Sequence, residues 1–152
     1  AQIALAEGLA VHAFTRGKDA QKFALELGCA SAQGAYDPAP VPLDSAIMFA
    51  PVGEMVLPAL ASLVPGGTLA LAGIHMSDVP TLNYQDYLFH EKTLTSVESN
   101  TRRDGEEFLT LADRLDIEPA VTKYPFEQAD QALRHVKGGN IKGACVLRVS
   151  KE

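Results

Sequence analysis

Apolar residues recur along the chain at two spacings, and these sort it into alternating helices and strands. Ala20, Phe23, Ala24 and Leu27 stand at i, i+3, i+4, i+7, which predicts a helix over residues 18–27 that Gly28 ends. Phe108, Leu111, Ala112 and Leu115 mark a second such face, on a helix over 104–115. Asp104, Glu106 and Glu107 in its first turn suit the positive end of the helix dipole. Ala129, Ala132, Leu133 and Val136 predict a third helix over 127–136, ended by Gly138-Gly139-Asn140. Residues 54–63 form a fourth, with Met55, Leu60 and Leu63 inward and Pro58 early enough to be tolerated. Residues 1–8 read as the end of a helix, with Gly8 just past it. Short apolar runs at 9–15, 29–33, 43–50, 121–124 and 144–149 predict strands, and the alternation over 92–98 predicts an edge strand. Three prolines make 36–42 a surface loop, and 77–89 is irregular with a helical turn near 84–89. Strands alternating with helices predict an α/β fold, a doubly wound parallel sheet.

The centre of this pattern is the stretch from Val64 to Met76. A Pro-Gly-Gly turn feeds Thr68, Leu69, Ala70, Leu71 and Ala72, and Gly73 ends the run. The run is too short for a helix and has turn signals on both sides, so it predicts a strand buried on both faces. Open α/β sheets bind ligands at the carboxyl ends of their strands. A glycine there lets a flat ligand approach the backbone. A plain core strand with a glycine turn fits the same residues.

Composition narrows the function classes. The chain has 152 residues, one domain's length, and 47% are apolar, enough for a core. A net charge of -6 argues against a nucleic-acid surface. No apolar run approaches about 18 residues, so no membrane span is expected, and the opening residues read as a helix rather than a signal peptide. Cys29 and Cys145 are far apart and lack metal-ligand spacing. They fit buried thiols of a reducing, cytoplasmic compartment. Among the histidines, His12 lies mid-strand and His135 on a late helix; His75 follows the central strand and reads as a loop residue. A catalytic zinc site needs three protein ligands, and no such set is visible.

One strand end carries a nucleotide signal. In dinucleotide-binding sheets the second strand reaches the adenosine ribose, where an acid bonds the hydroxyls and an arginine accommodates a 2′-phosphate. Here Thr15 stands at the acid's place and Arg16 follows. That leans towards NADP over NAD, while a surface arginine at a strand end remains the alternative. A glycine-rich phosphate loop would precede residue 1.

Several short motifs occur in one order: Phe14-Thr15-Arg16, Leu27-Gly28, Pro65-Gly66-Gly67-Thr68, Ala72-Gly73-Ile74, Arg102-Arg103-Asp104, Tyr124-Pro125-Phe126-Glu127 and the run from Lys137 to Gly143. The ordered set resembles the C-terminal half of a zinc-dependent alcohol dehydrogenase of the medium-chain dehydrogenase/reductase superfamily. The resemblance implies a Rossmann coenzyme domain that lacks its first strand and glycine loop. It implies hydride transfer between an alcohol or carbonyl and a nicotinamide cofactor. Thr15 and Arg16 would face the adenosine ribose, and Ala50, Pro51 and Val52 the adenine side. Ala72, Gly73 and Ile74 would border the nicotinamide, with Val97 and Ser99 at the same end, and Lys142 would approach the pyrophosphate. Residues 1–99 would be the partial coenzyme domain. Residues 100–152 would pack on a catalytic domain that carries the zinc and lies outside this sequence, so the chain alone is expected to be inactive.

The resemblance leaves two classes of function: the coenzyme-binding part of an oxidoreductase, or a non-catalytic remnant that binds nucleotide weakly or acts through self-assembly. The family's strand order, 3-2-1-4-5-6, puts the absent strand in the centre. Strands 9–15 and 43–50 would then face a gap. They could pair directly, giving a five-stranded core, or a second copy could supply strands. A homodimer, with symmetric pairing at the 93–98 edge, is expected.

Overall fold

The computed structural model describes residues 1–139 and 141–150. The element order is α1 (Gln2–Ala6), β1 (His12–Phe14), α2 (Lys18–Glu26), β2 (Ser31–Gln33), β3 (Leu43–Met48), a 3-10 turn (Gly53–Met55), α3 (Val56–Ala61), β4 (Leu63–Leu71), α4 (Tyr84–Tyr87) and β5 (Thr93–Ser96). Then follow α5 (Arg102–Arg114), β6 (Val121–Pro125), a second 3-10 turn (Phe126–Gln128), α6 (Ala129–Lys137) and β7 (Ala144–Arg148). The fold is α/β, and every strand pair is parallel.

The sheet comes in three pieces: β1–β2, β3–β4–β5 and β6–β7. The middle piece holds the core. Val56 and Leu60, four apart on α3, present one apolar stripe, and both are fully buried. They close on Leu69 of β4, with Met48 and Leu63 completing the cluster. Residues 53–61 thus form a 3-10 turn followed by α3, Leu63 belongs to β4 rather than to the expected helix, and Val56 takes an inward place that the spacing of Met55, Leu60 and Leu63 did not show. Pro58 falls in the first turn of α3, as its missing N–H requires.

The structure revises several expectations. Strand β4 starts at Leu63 rather than Thr68. The Pro65-Gly66-Gly67 segment lies inside it, where the pairing with β3 shifts register between Leu43 and Ser45. β4 is not buried on both faces by this chain. Leu69 is in register with Ala46 and Leu94 on the α3 side. Ile47, in register with Ala70 and Thr95, looks out of the other face at 64% exposure. On α6 the buried residue is Ala132, while Leu133 and Val136 face outward. On α5 Phe108 is exposed and no residue is buried. Of the predicted stop at Gly138-Gly139-Asn140, the first two residues end α6, and Asn140 lies outside the described residues.

The break between the first two pieces is a real gap. Direct closure does not occur: β1 pairs with β2 and β3 with β4, and β1 does not pair with β3. In a parallel ladder, alternate residues turn their N–H and C=O to opposite sides. Val11 C=O and Thr15 N–H bond β2, so the backbone of His12 and Phe14 points away from it. Met48 C=O accepts from Ala72 N–H, so the backbone of Ser45 and Ile47 points away from β4. So β1 and β3 each keep one backbone edge that no described strand pairs.

Candidate functional site at the strand ends

The carboxyl ends of β3, β4 and β5 lie side by side, and the turns that leave them form a continuous lip. The ladders carry past the strand ends: Ala72 N–H donates to Met48 C=O at 2.8 Å and Val97 N–H to Leu71 C=O at 2.9 Å. This brings Ala50, Pro51 and Val52 beside Ala72, Gly73 and Ile74, with Val97 next in order. Ser99 follows two residues beyond Val97, in a left-handed turn with φ of 42°.

Close backbone approach explains the glycines here. A Cβ on Gly73 would lie 3.1 Å from Phe49 C=O oxygen and 3.2 Å from that of Ala50. That is tight enough to push the β3 and β4 exits apart. Val52 N–H folds back to Ala50 C=O at 2.9 Å, which turns the chain sharply into the 3-10 turn. Ile74 is exposed and so presents apolar surface at the rim.

A cleft of about 210 Å³ opens beside this lip, along the gap. One wall is the free edge of β3 with α3, including Ala46, Met48, Phe49, Ala50 and Met55. Phe14, at the end of β1, and the Ala35–Tyr36 turn after β2 form the other. Four large apolar groups, Phe14, Tyr36, Phe49 and Met55, therefore border one slot. A slot of this composition suits a flat ring. Sequence reasoning put Tyr36 in a featureless proline-rich loop and Phe49 and Met55 in strand and core. The aromatic types at two element ends were the available signal.

Thr15 and Arg16 follow Phe14 out of β1 but, unlike it, are not among the residues that line the cleft. Thr15 N–H is bound to Gln33 C=O at 3.1 Å, which fixes the turn, and Arg16 is exposed. Lys142 is held elsewhere: it comes from the turn before β7, and its Nζ stands 5.7 Å from the ring centroid of Phe23 on α2. It is not among the residues that line the cleft.

Among the described residues no group of three or more His, Cys, Asp or Glu could hold a metal ion. The residues present therefore do not fit a zinc site. His75 is an exposed loop residue in a left-handed turn with φ of 58°. His12 Nδ1 is 2.7 Å from Ser31 Oγ. Tyr124 OH is 2.6 Å from His135 Nδ1. Burial, and then the neighbouring Cys145, push the Tyr124 hydroxyl above its ordinary value near 10. Cys29 is buried and both cysteines are free. No helix among the described residues is long and apolar enough to cross a membrane.

Comparisons with known proteins agree with this geometry. A family model described as zinc-binding dehydrogenase matches residues 34–147. The chain is 54% identical over 149 residues to the probable alcohol dehydrogenase AdhA of Mycobacterium tuberculosis (strain CDC 1551 / Oshkosh), covering 98% of this chain and 43% of that relative. Two solved structures share its fold. One is a cinnamyl alcohol dehydrogenase of Sorghum bicolor, with a TM-score of 0.82, 17% identity, and 98% of this chain and 45% of that one covered. The other is CAD from Helicobacter pylori complexed with NADP(H), with a TM-score of 0.82, 21% identity, and 96% and 43% covered. The chain spans less than half the length of each of these proteins. It belongs to the zinc-binding dehydrogenase family.

Proposed function

We propose that this chain is the coenzyme-binding part of an NAD(P)-linked alcohol dehydrogenase of the zinc type. The observation that carries the reading is the slot walled by Phe14, Tyr36, Phe49 and Met55, which opens at the carboxyl ends of β1 and β3. Such ends are where open α/β sheets take nucleotides. When bound, the nicotinamide ring carries the hydride between alcohol and carbonyl.

The chain's own residues bind and orient. The aromatic slot takes the adenine side, against Ala50, Pro51 and Val52. The backbone of Ala72, Gly73 and Ile74 offers amides and carbonyls to the nicotinamide carboxamide, and Val97 and Ser99 limit the ring's far side. Residues 1–99 act as the nucleotide half and 100–152 pack on the remainder of a longer enzyme. The fold-class match leaves Lys142 the least supported member of the set, because its ammonium sits over Phe23.

NADP(H) is the favoured cofactor, since Thr15 offers no carboxylate to repel a 2′-phosphate and Arg16 is open to pair with one. Replacing Arg16 by Ala should weaken NADPH more than NADH, by about 1–3 kcal/mol for a lost charge-assisted bond. Fluorescence titration of both cofactors measures this. Equal losses would make Arg16 a plain surface residue.

The assembly proposed is a homodimer through β5, the free edge of the middle sheet. Light scattering at micromolar concentration should give twice the chain mass, and a monomer would refute it.

A further inference from the structure

We infer that Ser77 is a positioning residue, a latch that makes the two halves of the strand-end lip one rigid body. The inference rests on reading that lip as a nicotinamide dinucleotide site. The segment after β4 would otherwise be free to swing, since Ile74 and His75 are exposed and His75 takes a left-handed φ of 58°. It instead returns across the start of the 3-10 turn. There Gly53 N–H donates to Ser77 Oγ at 2.9 Å. Ser77 N–H donates in turn to Pro51 C=O at 3.3 Å.

Both bonds join the segment that follows β4 to the segment that follows β3. They are made close by Gly53, which is buried. A Cβ there would lie 2.0 Å from Asp78 C=O oxygen and 2.6 Å from that of Ser77. No side chain fits, so the backbone at 77–78 lies directly on Gly53. Gly73 makes the matching approach to Phe49 and Ala50 at the other end of the segment. Residues 73–78 are therefore fastened at both ends to residues 49–53, and Met76 between them packs on the core. A serine is suited to the task. It is small, its hydroxyl accepts from the first orphan N–H of a helical start, and its own N–H stays free for Pro51.

The consequence is specific. Residues 50–52 are assigned to the adenine side and 72–74 to the nicotinamide side. Freeing the latch should loosen the second against the first, so only ligands that reach both are affected.

The test uses the full-length dehydrogenase that contains this chain, with NADPH and with 2′-phospho-ADP-ribose, which lacks the nicotinamide. Ser77→Ala should weaken NADPH by about three- to tenfold, the range of one neutral hydrogen bond. It should leave 2′-phospho-ADP-ribose unchanged, and Ser77→Thr should restore NADPH. Equal weakening of both ligands, or no weakening of either, would overturn the latch. A second measurement needs no variant: amide exchange at Gly53 should slow when NADPH binds the native protein. Unchanged Gly53 exchange with NADPH bound would refute the proposal. Failure of the native protein to bind either ligand would refute the nucleotide reading itself.

Discussion

Two regions of this chain reach order by different means. The unit of β3, α3, β4 and β5 closes around side chains with no exposure, Val56, Leu60 and Leu69. The unit from α5 to β7 buries only Tyr124 and Ala132 among its described hydrophobic residues. Its helices show large apolar groups to solvent, with Leu109 at 68% and Leu133 at 70% exposure. Helix α5 relies on local devices instead: a capping box at Thr101 and Asp104, and ion pairs Arg102–Glu106 and Arg103–Glu107. Exposed pairs of this kind contribute little each. Burial in the first unit does not depend on anything outside it. The second leaves large apolar groups of both its helices exposed and meets the first helices through Arg114–Glu7, Gln2–Glu118 and Lys142 over Phe23.

The largest effect should come from the closed core. Leu60→Ala removes a fully buried side chain at the α3–β4 contact and should cost about 2–5 kcal/mol. The same change at Leu109 should stay within about 0.5 kcal/mol. Urea unfolding of both variants measures the contrast. Similar losses would mean that α5 is buried in solution against a face that the single chain does not show.

A smaller but sharp effect is expected inside the second unit. Gly143 has φ of 76°, and a Cβ there would lie 2.0 Å from Ala120 C=O oxygen. That carbonyl accepts from Ala144 N–H at 2.9 Å, the bond that starts the β6–β7 pair. Gly143→Ala should therefore cost more than about 2 kcal/mol, from left-handed strain and a forced backbone shift. The loss should fall on β6–β7 amides in hydrogen exchange and leave Leu60 and Leu69 protected. Loss of protection in both units would show them to be one cooperative body.

The sequence made much of this legible where one stripe decides the outcome. Spacing placed α2, β5 as an edge strand, and the turn at α4 within a few residues. It failed where tertiary neighbours decide. The periodicity that marks Phe108, Leu133 and Val136 as inward is real, but all three are exposed in this structure. Nor could alternation tell that β4 begins at Leu63, because Pro65 and Gly66 look like a turn until a register shift absorbs them. At the site, Gly73 and the strand-end residues were readable as a group, since parallel sheets gather their carboxyl ends. Tyr36, Gly53 and Ser77 were not. Each matters only through a contact between segments far apart in sequence, and no local pattern records such a contact.

The smallest expected effect tests how α5 holds itself. Thr101 Oγ1 accepts from Asp104 N–H, and the Asp104 carboxylate accepts from both the N–H and the hydroxyl of Thr101. The bond from the Thr101 backbone, and then that from its side chain, hold the Asp104 carboxyl below its ordinary value near 3.8. The folded value is the lower one, so the contribution is present above the unfolded value and fades as pH falls through the folded one. Helicity of α5 should therefore be flat from pH 7 down to about 4 and decline below it. Thr101→Ala should remove about 1 kcal/mol of helix stability, the usual worth of an N-cap. It should also lessen the acid decline, because Asp104 then loses the hydroxyl donor and keeps only the backbone N–H of residue 101. Backbone chemical shifts of residues 102–107 followed between pH 5 and 2 decide the point. An unchanged acid decline in Thr101→Ala would assign it to the backbone N–H bond of residue 101 alone, and the Thr101 hydroxyl would then add nothing to the hold on Asp104.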